Sequence, residues 1–399
     1  MSHPPSAVLA VVLAALMAVA PFTIDAYLPA MPTLQRALDA DIGAVQLTLG
    51  LYMIGFAGGQ LVIGPWSDRA GRLLPIRVGL LIYIASTLLC AVAWSIETLI
   101  AARFLQGLGA GVGPVVVRAM VRDQFDREES ARLMSLLSMI FLAAPLVAPF
   151  VGGWLLVWTG WRGIFVFLAL YGALTLVATH VKVRETLPVE RRSTAPWRVV
   201  LRDYARLLVM RSFIGYALAS SAAFAGMFAY FSGSPFVFID LYGVPAEWYG
   251  ALFGIPVVLM VGVNALNRRL IPRYGSERML SWALVANLVG GLSLAVVGAT
   301  GWGGLPVLVI CLAVYLTPLS TIAANAMAGA LEKVPALAGT ASALSGALTY
   351  GCGALAGFAV GRLHDGSAFA MGVVMAVTGL VASLVYRLVI RPALATERP

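Results

Sequence analysis

Few side chains in this 399-residue sequence have the types and spacing for chemistry. The three histidines, His3, His180 and His364, are scattered, with no nucleophile–base pair and no metal-ligand spacing around them. The three cysteines, Cys90, Cys311 and Cys352, lie in apolar stretches, an odd set that makes neither a disulfide framework nor a metal site. No metal and no cofactor is expected. What stands out is one carboxylate and two guanidiniums in apolar surroundings, where charge is costly and functional by default. Asp25 sits in Phe22-Thr23-Ile24-Asp25-Ala26-Tyr27-Leu28-Pro29. One reading is a protonatable carboxylate that loads and releases a proton as access to it alternates. The other is a helix-end carboxylate reaching outer water. Pro29 and Pro32 place helix irregularity beside Asp25 and favour the first. Arg103 and Arg118 share a helical face with Gly107, Ala110, Gly111 and Pro114, small residues that let helices approach closely. Asp25 and Arg103 fall at similar depth; whether the carboxylate pairs with Arg103 or Arg118 stays open.

The elements that carry these charges are membrane spans. The chain is 60% hydrophobic and 11% charged, about half the charge of a soluble domain, and its mean hydropathy is +0.91. That excludes a soluble enzyme or nucleic-acid binder. A spanning helix needs ~20 mostly apolar residues. Charge-free runs supply ten such stretches, one of them, Arg278 to Glu332, long enough for two helices with a break at Gly301–Pro306. A further span, about Thr98 to Val121, is apolar apart from Arg103 and Arg118. Twelve helices result. The first apolar run, about Ala7 to Leu28, has no preceding Lys or Arg and reads as a retained helix rather than a cleaved signal.

An even number of spans puts both termini on one side. Twenty-two of the 27 basic residues fall in alternate loops and the C-terminus, which predicts that this side, with both termini, is cytoplasmic. The net charge of +9 is thereby explained without nucleic acid. The longest polar stretch, rich in Arg and Pro, predicts a division into an N-terminal six-helix bundle (1–183), a cytoplasmic central loop (184–211) and a C-terminal six-helix bundle (212–399). Trp197 to Leu208 has the pattern of an amphipathic surface helix. The seventh span is aromatic: Phe224, Phe228, Tyr230, Phe231, Phe236 and Phe238. Lipid contact or interfacial anchoring is the expected fate of most of them. Tyr27, Gln106, Phe224, Phe228 and Phe231 are the candidates for a substrate cavity.

The loop after the second span reads Gly64-Pro65-Trp66-Ser67-Asp68-Arg69-Ala70-Gly71-Arg72. Here Gly64 ends a helix, Asp68 can cap a neighbouring helix N-terminus, Gly71 allows a tight turn, and Arg72 can pair with an acid, with Asp123 expected nearby. The pattern G-x-x-x-D-x-x-G-R at this place resembles the signature loop of the major facilitator superfamily. That resemblance implies a latch, built from Gly64, Asp68, Gly71, Arg72 and Asp123, which holds two halves in an outward-open state. Arg103-Phe104-Leu105-Gln106-Gly107 resembles the family's R-x-x-Q-G motif linked to proton coupling, which implicates Asp25, Arg103 and Arg118. The fifth span, Ala144 to Gly153, resembles the antiporter motif, with Ala148 replacing its second glycine; Pro145, Pro149, Gly152 and Gly153 are its carriers and are expected to face the second half. Asp25–Pro32, Arg118–Asp123 and Lys182–Pro188 resemble the bicyclomycin/chloramphenicol-resistance (Bcr/CflA) group of drug:proton antiporters.

The expected fold is therefore an all-α integral membrane protein with twelve transmembrane helices in two six-helix bundles, the major facilitator fold, in a bacterial inner membrane. The first function is proton-coupled efflux of small, largely apolar toxic compounds. Export of a metabolite such as a sugar, amino acid or siderophore is the alternative, although only Gln46, Gln60, Asn287, Asn325 and Thr317 offer polar contacts to read one. An integral-membrane enzyme ranks last. The expected partners are a small-molecule substrate, protons and the lipid bilayer, with no nucleic acid, and the chain is expected to act as a monomer.

Overall fold

The computed structural model describes residues 7–392 apart from 195, 333, 335 and 336. The extreme termini and Lys333, counted above among the basic residues, lie outside the described residues. Lipid offers no hydrogen bonds to a backbone, so a spanning segment must satisfy its own N–H and C=O groups, and a helix does so locally. Accordingly the described residues contain helices and no strand.

In order they are α1 (Ala7–Asp25), α2 (Met31–Ala37), α3 (Ile42–Ala70), α4 (Leu73–Ala91), α5 (Ile96–Ala110), α6 (Val112–Gln124), α7 (Arg127–Lys182) and α8 (Trp197–Val209). There follow α9 (Arg211–Pro235), α10 (Ala246–Tyr274), α11 (Ser276–Thr300), α12 (Gly304–Leu316), α13 (Leu319–Glu332), α14 (Ala338–Arg362) and α15 (Phe369–Val385). Among the described residues, eleven helical stretches are long and apolar enough to cross a membrane. One of them, Glu128–Lys182, has 55 residues, ~80 Å of helix at 1.5 Å per residue. That is more than twice the hydrocarbon thickness. Its backbone leaves helical geometry at Gly160 (φ 71°, ψ 178°), a left-handed φ that glycine adopts without strain. The stretch is thus two crossings, and the total is twelve. On its second half, Val166, Leu170, Leu174, Val177 and Val181 recur at helical spacing and are all exposed, an apolar stripe suited to lipid.

Two details depart from the sequence reading, and the first span gains a break: within the spanning stretch Ala7–Ala37, α1 stops at Asp25, and a 3-10 turn, Leu28–Ala30, separates it from α2. Pro29 and Pro32 occupy the first turns of those two segments, where a missing N–H costs nothing. Gly64 does not end a helix, because α3 continues to Ala70. The aromatic residues of the seventh span do not face lipid. Phe228, Tyr230, Phe231, Phe236 and Phe238 are all buried; only Phe224 is half-buried.

The chain forms two compact units. The first comprises Met1–Ala40, Leu51–Trp197 and Ala246–Gly250; the second comprises Asp41–Gly50, Arg198–Pro245 and Ala251–Pro399. Within the first, α1 packs on α6 and α7, and α4 on α5 and α7. Helices α3 and α5 interlock through glycine: a Cβ on Gly55 would strike the Phe104 carbonyl, and one on Gly107 would strike the Tyr52 carbonyl. This contact fixes the depth and rotation of α5, and with it Arg103. In the second unit α9 is the central helix, packed by α13, α14 and α15. The opening of α3 belongs to this unit, where Gln46 Nε2 donates to the Ser232 carbonyl at 3.1 Å.

Candidate functional site

Two polar clusters in the first unit hold most of the residues singled out above. The deeper one centres on Arg103, which has no exposed surface. Its guanidinium lies 4.5 Å over the Tyr27 ring and 4.4 Å over the Tyr52 ring, with the Phe165 ring 6.0 Å away. Nη1 donates to Gln106 Oε1 at 2.7 Å and to the Thr23 carbonyl at 3.5 Å. Gln106 in turn donates to Thr87 Oγ1 at 2.8 Å, and the Thr23 hydroxyl shares a 2.7 Å bond with Tyr83 OH. Ring faces carry negative charge density, so a cation can be buried among them without an anion.

Asp25 is 2% exposed. It is the last residue of α1, where the helix presents carbonyls rather than N–H donors. Among the described residues its Oδ1 has no hydrogen-bond partner, and the carboxylate enters no ion pair. Arg103 reaches the end of α1 at the Thr23 carbonyl, two residues before Asp25, but the two charges are unpaired here. Nε and Nη2 of Arg103 also lack hydrogen-bond acceptors among the described residues. Arg118 stands apart from this cluster: it lies on α6, is exposed, and donates from Nε to the Pro114 carbonyl at 2.6 Å.

The expected substrate-cavity residues divide between the units. Tyr27 and Gln106 belong to the Arg103 cluster. Phe228 and Phe231 belong to an aromatic cluster of the second unit, with ring centroids 5.5 Å apart, Tyr350 at 5.5 Å from Phe228 and Phe253 at 5.3 Å from Phe231. Phe224, half-buried on the same helix, takes no part in either stack among the described residues.

The second cluster is the loop between α3 and α4. Gly71 adopts φ +90°, and a Cβ there would meet the Glu185 carboxylate and the Arg192 guanidinium, so only glycine suits it. Arg72 Nη1 pairs with Asp68 Oδ1 at 2.6 Å, and Nε pairs with Asp123 Oδ2 at 2.8 Å. Nη1 also donates to Ser67 Oγ at 3.0 Å, and Thr186 Oγ1 donates to Asp123 Oδ2 at 3.2 Å. Burial pulls the Arg72 guanidinium down, but Asp123 and Asp68 outweigh it and hold it above the ordinary arginine value. A Cβ on Gly64 would meet Val115 at ordinary contact distance.

Asp68 does not cap a helix, contrary to the sequence reading. Glu185 does: its Oε1 accepts from the Arg72 N–H at 2.8 Å and its Oε2 from the Leu73 N–H at 3.1 Å, at the start of α4. Oε1 accepts from the Thr186 and Leu187 N–H groups too, both at 3.0 Å. Burial pushes this carboxyl up, but the four N–H donors dominate and hold it below the usual glutamate range. Sequence reasoning gave Glu185 no role. The signal was present as an acid three residues past the end of α7, but its partners are backbone N–H donors that no motif records.

The fifth span places its four residues differently from one another. Pro149, Gly152 and Gly153 are buried and Pro145 half-buried. A Cβ on Gly152 would strike the Ala26 carbonyl, so this glycine packs on the chain just beyond α1 and not on the second half of the sequence. A Cβ on Gly153 would strike the Ala246 carbonyl at the start of α10, within the same unit. The reason for the split is geometric: adjacent helical residues point about 100° apart.

Residues 13–358 match the family model of the Major Facilitator Superfamily. The chain belongs to that superfamily. It is 35% identical to an "Uncharacterized MFS-type transporter YdgK" of Bacillus subtilis, covering 95% of this chain and 94% of the relative. It is 33% identical to a "Bicyclomycin resistance protein homolog" of Haemophilus influenzae, over 92% of each chain. Identity to "Multidrug resistance protein D" of Escherichia coli is 31%, over 94% of each. The fold is similar to that of the xylose transporter XylE from E. coli in a partially occluded inward-open conformation, with a TM-score of 0.74, 14% identity, and coverage of 96% of this chain and 98% of that one. The chain is thus a multi-pass membrane transporter with the two-bundle major facilitator architecture.

Proposed function

We propose that this transporter exports small, largely apolar toxic compounds from a bacterial cell in exchange for protons, by alternating access, and performs no catalytic step. The names of its drug-resistance relatives support the substrate class. The observations that carry the coupling are a buried Asp25 whose Oδ1 lacks a partner at the end of α1 and a buried Arg103 that is held by ring faces and reaches α1 at the Thr23 carbonyl. In this reading Asp25 takes a proton from the outer side. A neutral Asp25 leaves Arg103 between Tyr27 and Tyr52. Loss of the proton creates an anion for which Arg103 Nε and Nη2 supply the donors. Moving the guanidinium from rings to carboxylate would turn protonation into a rearrangement of α1 against α5. Drug and proton need only bias the same two states.

Arg118 serves as a second cation on the same route, and Tyr27, Gln106, Phe224, Phe228 and Phe231 contribute substrate contacts. Asp68, Arg72 and Asp123, on a loop turned by Gly71 and flanked by Gly64, form the latch, and Pro145, Pro149, Gly152 and Gly153 form the antiporter helix. Residues 1–183 and 212–399 act as the two bundles, joined by the central loop 184–211. Both termini are cytoplasmic, and the working unit is a monomer in the inner membrane.

Drug-induced proton release from the purified protein, measured beside drug binding, tests this. Asp25→Asn is expected to abolish proton release and uphill export while retaining binding, and Asp25→Glu to keep part of the activity. Export of drug against its gradient by Asp25→Asn would place the coupling carboxylate elsewhere.

A further inference from the structure

The transport reading leaves one built pocket unused. In the second unit, a cavity of about 660 Å³ opens between the end of α10, the start of α11 and the π-helical turn Tyr386–Ile390 that follows α15. Its walls include Ser276, Glu277, Arg278, Tyr386, Arg387 and Arg391. Three arginines and one glutamate line it, and the glutamate is engaged: Tyr216 OH donates to Glu277 Oε1 at 3.1 Å. Among the described residues none of the three arginines is in an ion pair. The 25-residue helix α11 starts at this wall, so its unpaired N–H groups add positive potential. Tyr386 OH donates to the Glu277 carbonyl at 3.4 Å and ties the π-helical turn to the first turn of α11. The pocket is thus a fixed, net-positive concavity at the ends of spanning helices, of the size that holds small ligands.

We propose that this pocket binds a phosphate ester, the group whose charge and multiple acceptor oxygens match three arginine forks and a helix N-terminus. Its two available sources are the headgroup of an anionic phospholipid and a soluble phosphate compound. The location at helix ends, where basic pockets meet headgroups, suits the first.

The test uses the delipidated full-length protein. Native mass spectrometry follows titration with phosphatidylglycerol, with phosphatidylcholine and, separately, with inorganic pyrophosphate. Wild type is expected to bind phosphatidylglycerol more tightly than phosphatidylcholine. The Arg278→Gln/Arg391→Gln double variant is expected to lose about thirtyfold of that affinity, with phosphatidylcholine unaffected. Arginine-dependent pyrophosphate binding that displaces phosphatidylglycerol identifies the soluble source; its absence identifies the lipid. Glu277→Gln removes the one acid and keeps all three arginines, so it is expected to tighten binding severalfold even where the double variant proves unstable. Equal affinity of wild type and double variant overturns the proposal. So does a wild type that neither prefers phosphatidylglycerol nor binds pyrophosphate, or a Glu277→Gln protein that binds no more tightly.

Discussion

The signature loop makes a quantitative prediction because its two acids meet different amounts of solvent. The Arg72 side chain is 3% exposed, Asp123 14% and Asp68 50%. An ion pair with one half-exposed partner contributes at most ~1 kcal/mol. Removing one member of a fully buried pair costs ~3–5 kcal/mol, because a charge is stranded. Asp123→Asn lies between these limits. It weakens the 2.8 Å and 3.4 Å contacts with Arg72 and the bond from Thr186, but leaves Asp68 to neutralise the guanidinium. We expect Asp123→Asn to destabilise by about 2–3 kcal/mol and Asp68→Asn by about 1 kcal/mol or less. Reversible unfolding of the purified variants measures both, and a double-mutant cycle with Arg72→Gln isolates each pairwise contribution. Transport in proteoliposomes is expected to show a different order: Asp68→Asn inserts normally yet transports poorly, since the family motif points to a conformational role for that acid. A stability loss from Asp68→Asn equal to or larger than that from Asp123→Asn would refute the argument from burial, and wild-type transport by Asp68→Asn would refute the latch.

The remaining predictions address the cage and the cap. Tyr52→Leu removes one of the two ring faces over Arg103 and is expected to cost about 1–2 kcal/mol in thermal unfolding, whereas Tyr52→Phe keeps the face and gives up the long 3.4 Å bond to the Ala20 carbonyl, so it should lie closer to wild type than Tyr52→Leu. Glu185 has a folded-state value below the ordinary 4.5, so its contribution is present above that value and is lost as pH falls through the lowered one. Hydrogen exchange at the Arg72 and Leu73 amides is therefore expected to rise in that acidic window in wild type and to show no such pH step in Glu185→Gln.

The spans were legible because charge is so rare here that its gaps trace the hydrocarbon, and Gly160 hid one loop only from a reading based on helix length. Asp25 and Arg103 were recognisable as charges in apolar surroundings, and Gln106 and Tyr27 as cavity candidates. What could not be read was that Arg103 rests on Tyr27 and Tyr52 rather than on Asp25: Tyr52 is contributed by another helix, and its nearness depends on the Gly55–Gly107 interlock. The aromatics of α9 were misjudged because composition does not say which face is buried. A usable signal was there: Gly215, Ser221, Gly226 and Gly233 scatter small residues around the helix, which suits a helix packed on all sides. Glu185 was invisible for a different reason, since a carboxylate that binds backbone amides has no partner side chain to reveal it.

The Arg103 cage bears on why protonation of one carboxylate can move a helix in the proposed mechanism. A guanidinium on two ring faces gains ~1–4 kcal/mol in total, whereas the Coulombic gain of a buried ion pair is largely offset by desolvation. In the proposed mechanism Arg103 has two resting places, neither dominant by more than a few kcal/mol, and the charge on Asp25 decides between them. A device balanced in this way responds to a change of a few kcal/mol, the scale that shifts a two-state population by several orders of magnitude. Its surroundings must not yield instead. The carbonyl contacts at Gly55, Gly107 and Gly152 leave no space for α3, α5 and the chain after α1 to absorb the change by small adjustments. Rigid helix contacts around a mobile cation convert a local proton into a rearrangement of whole elements, whereas a loosely packed site would dissipate it.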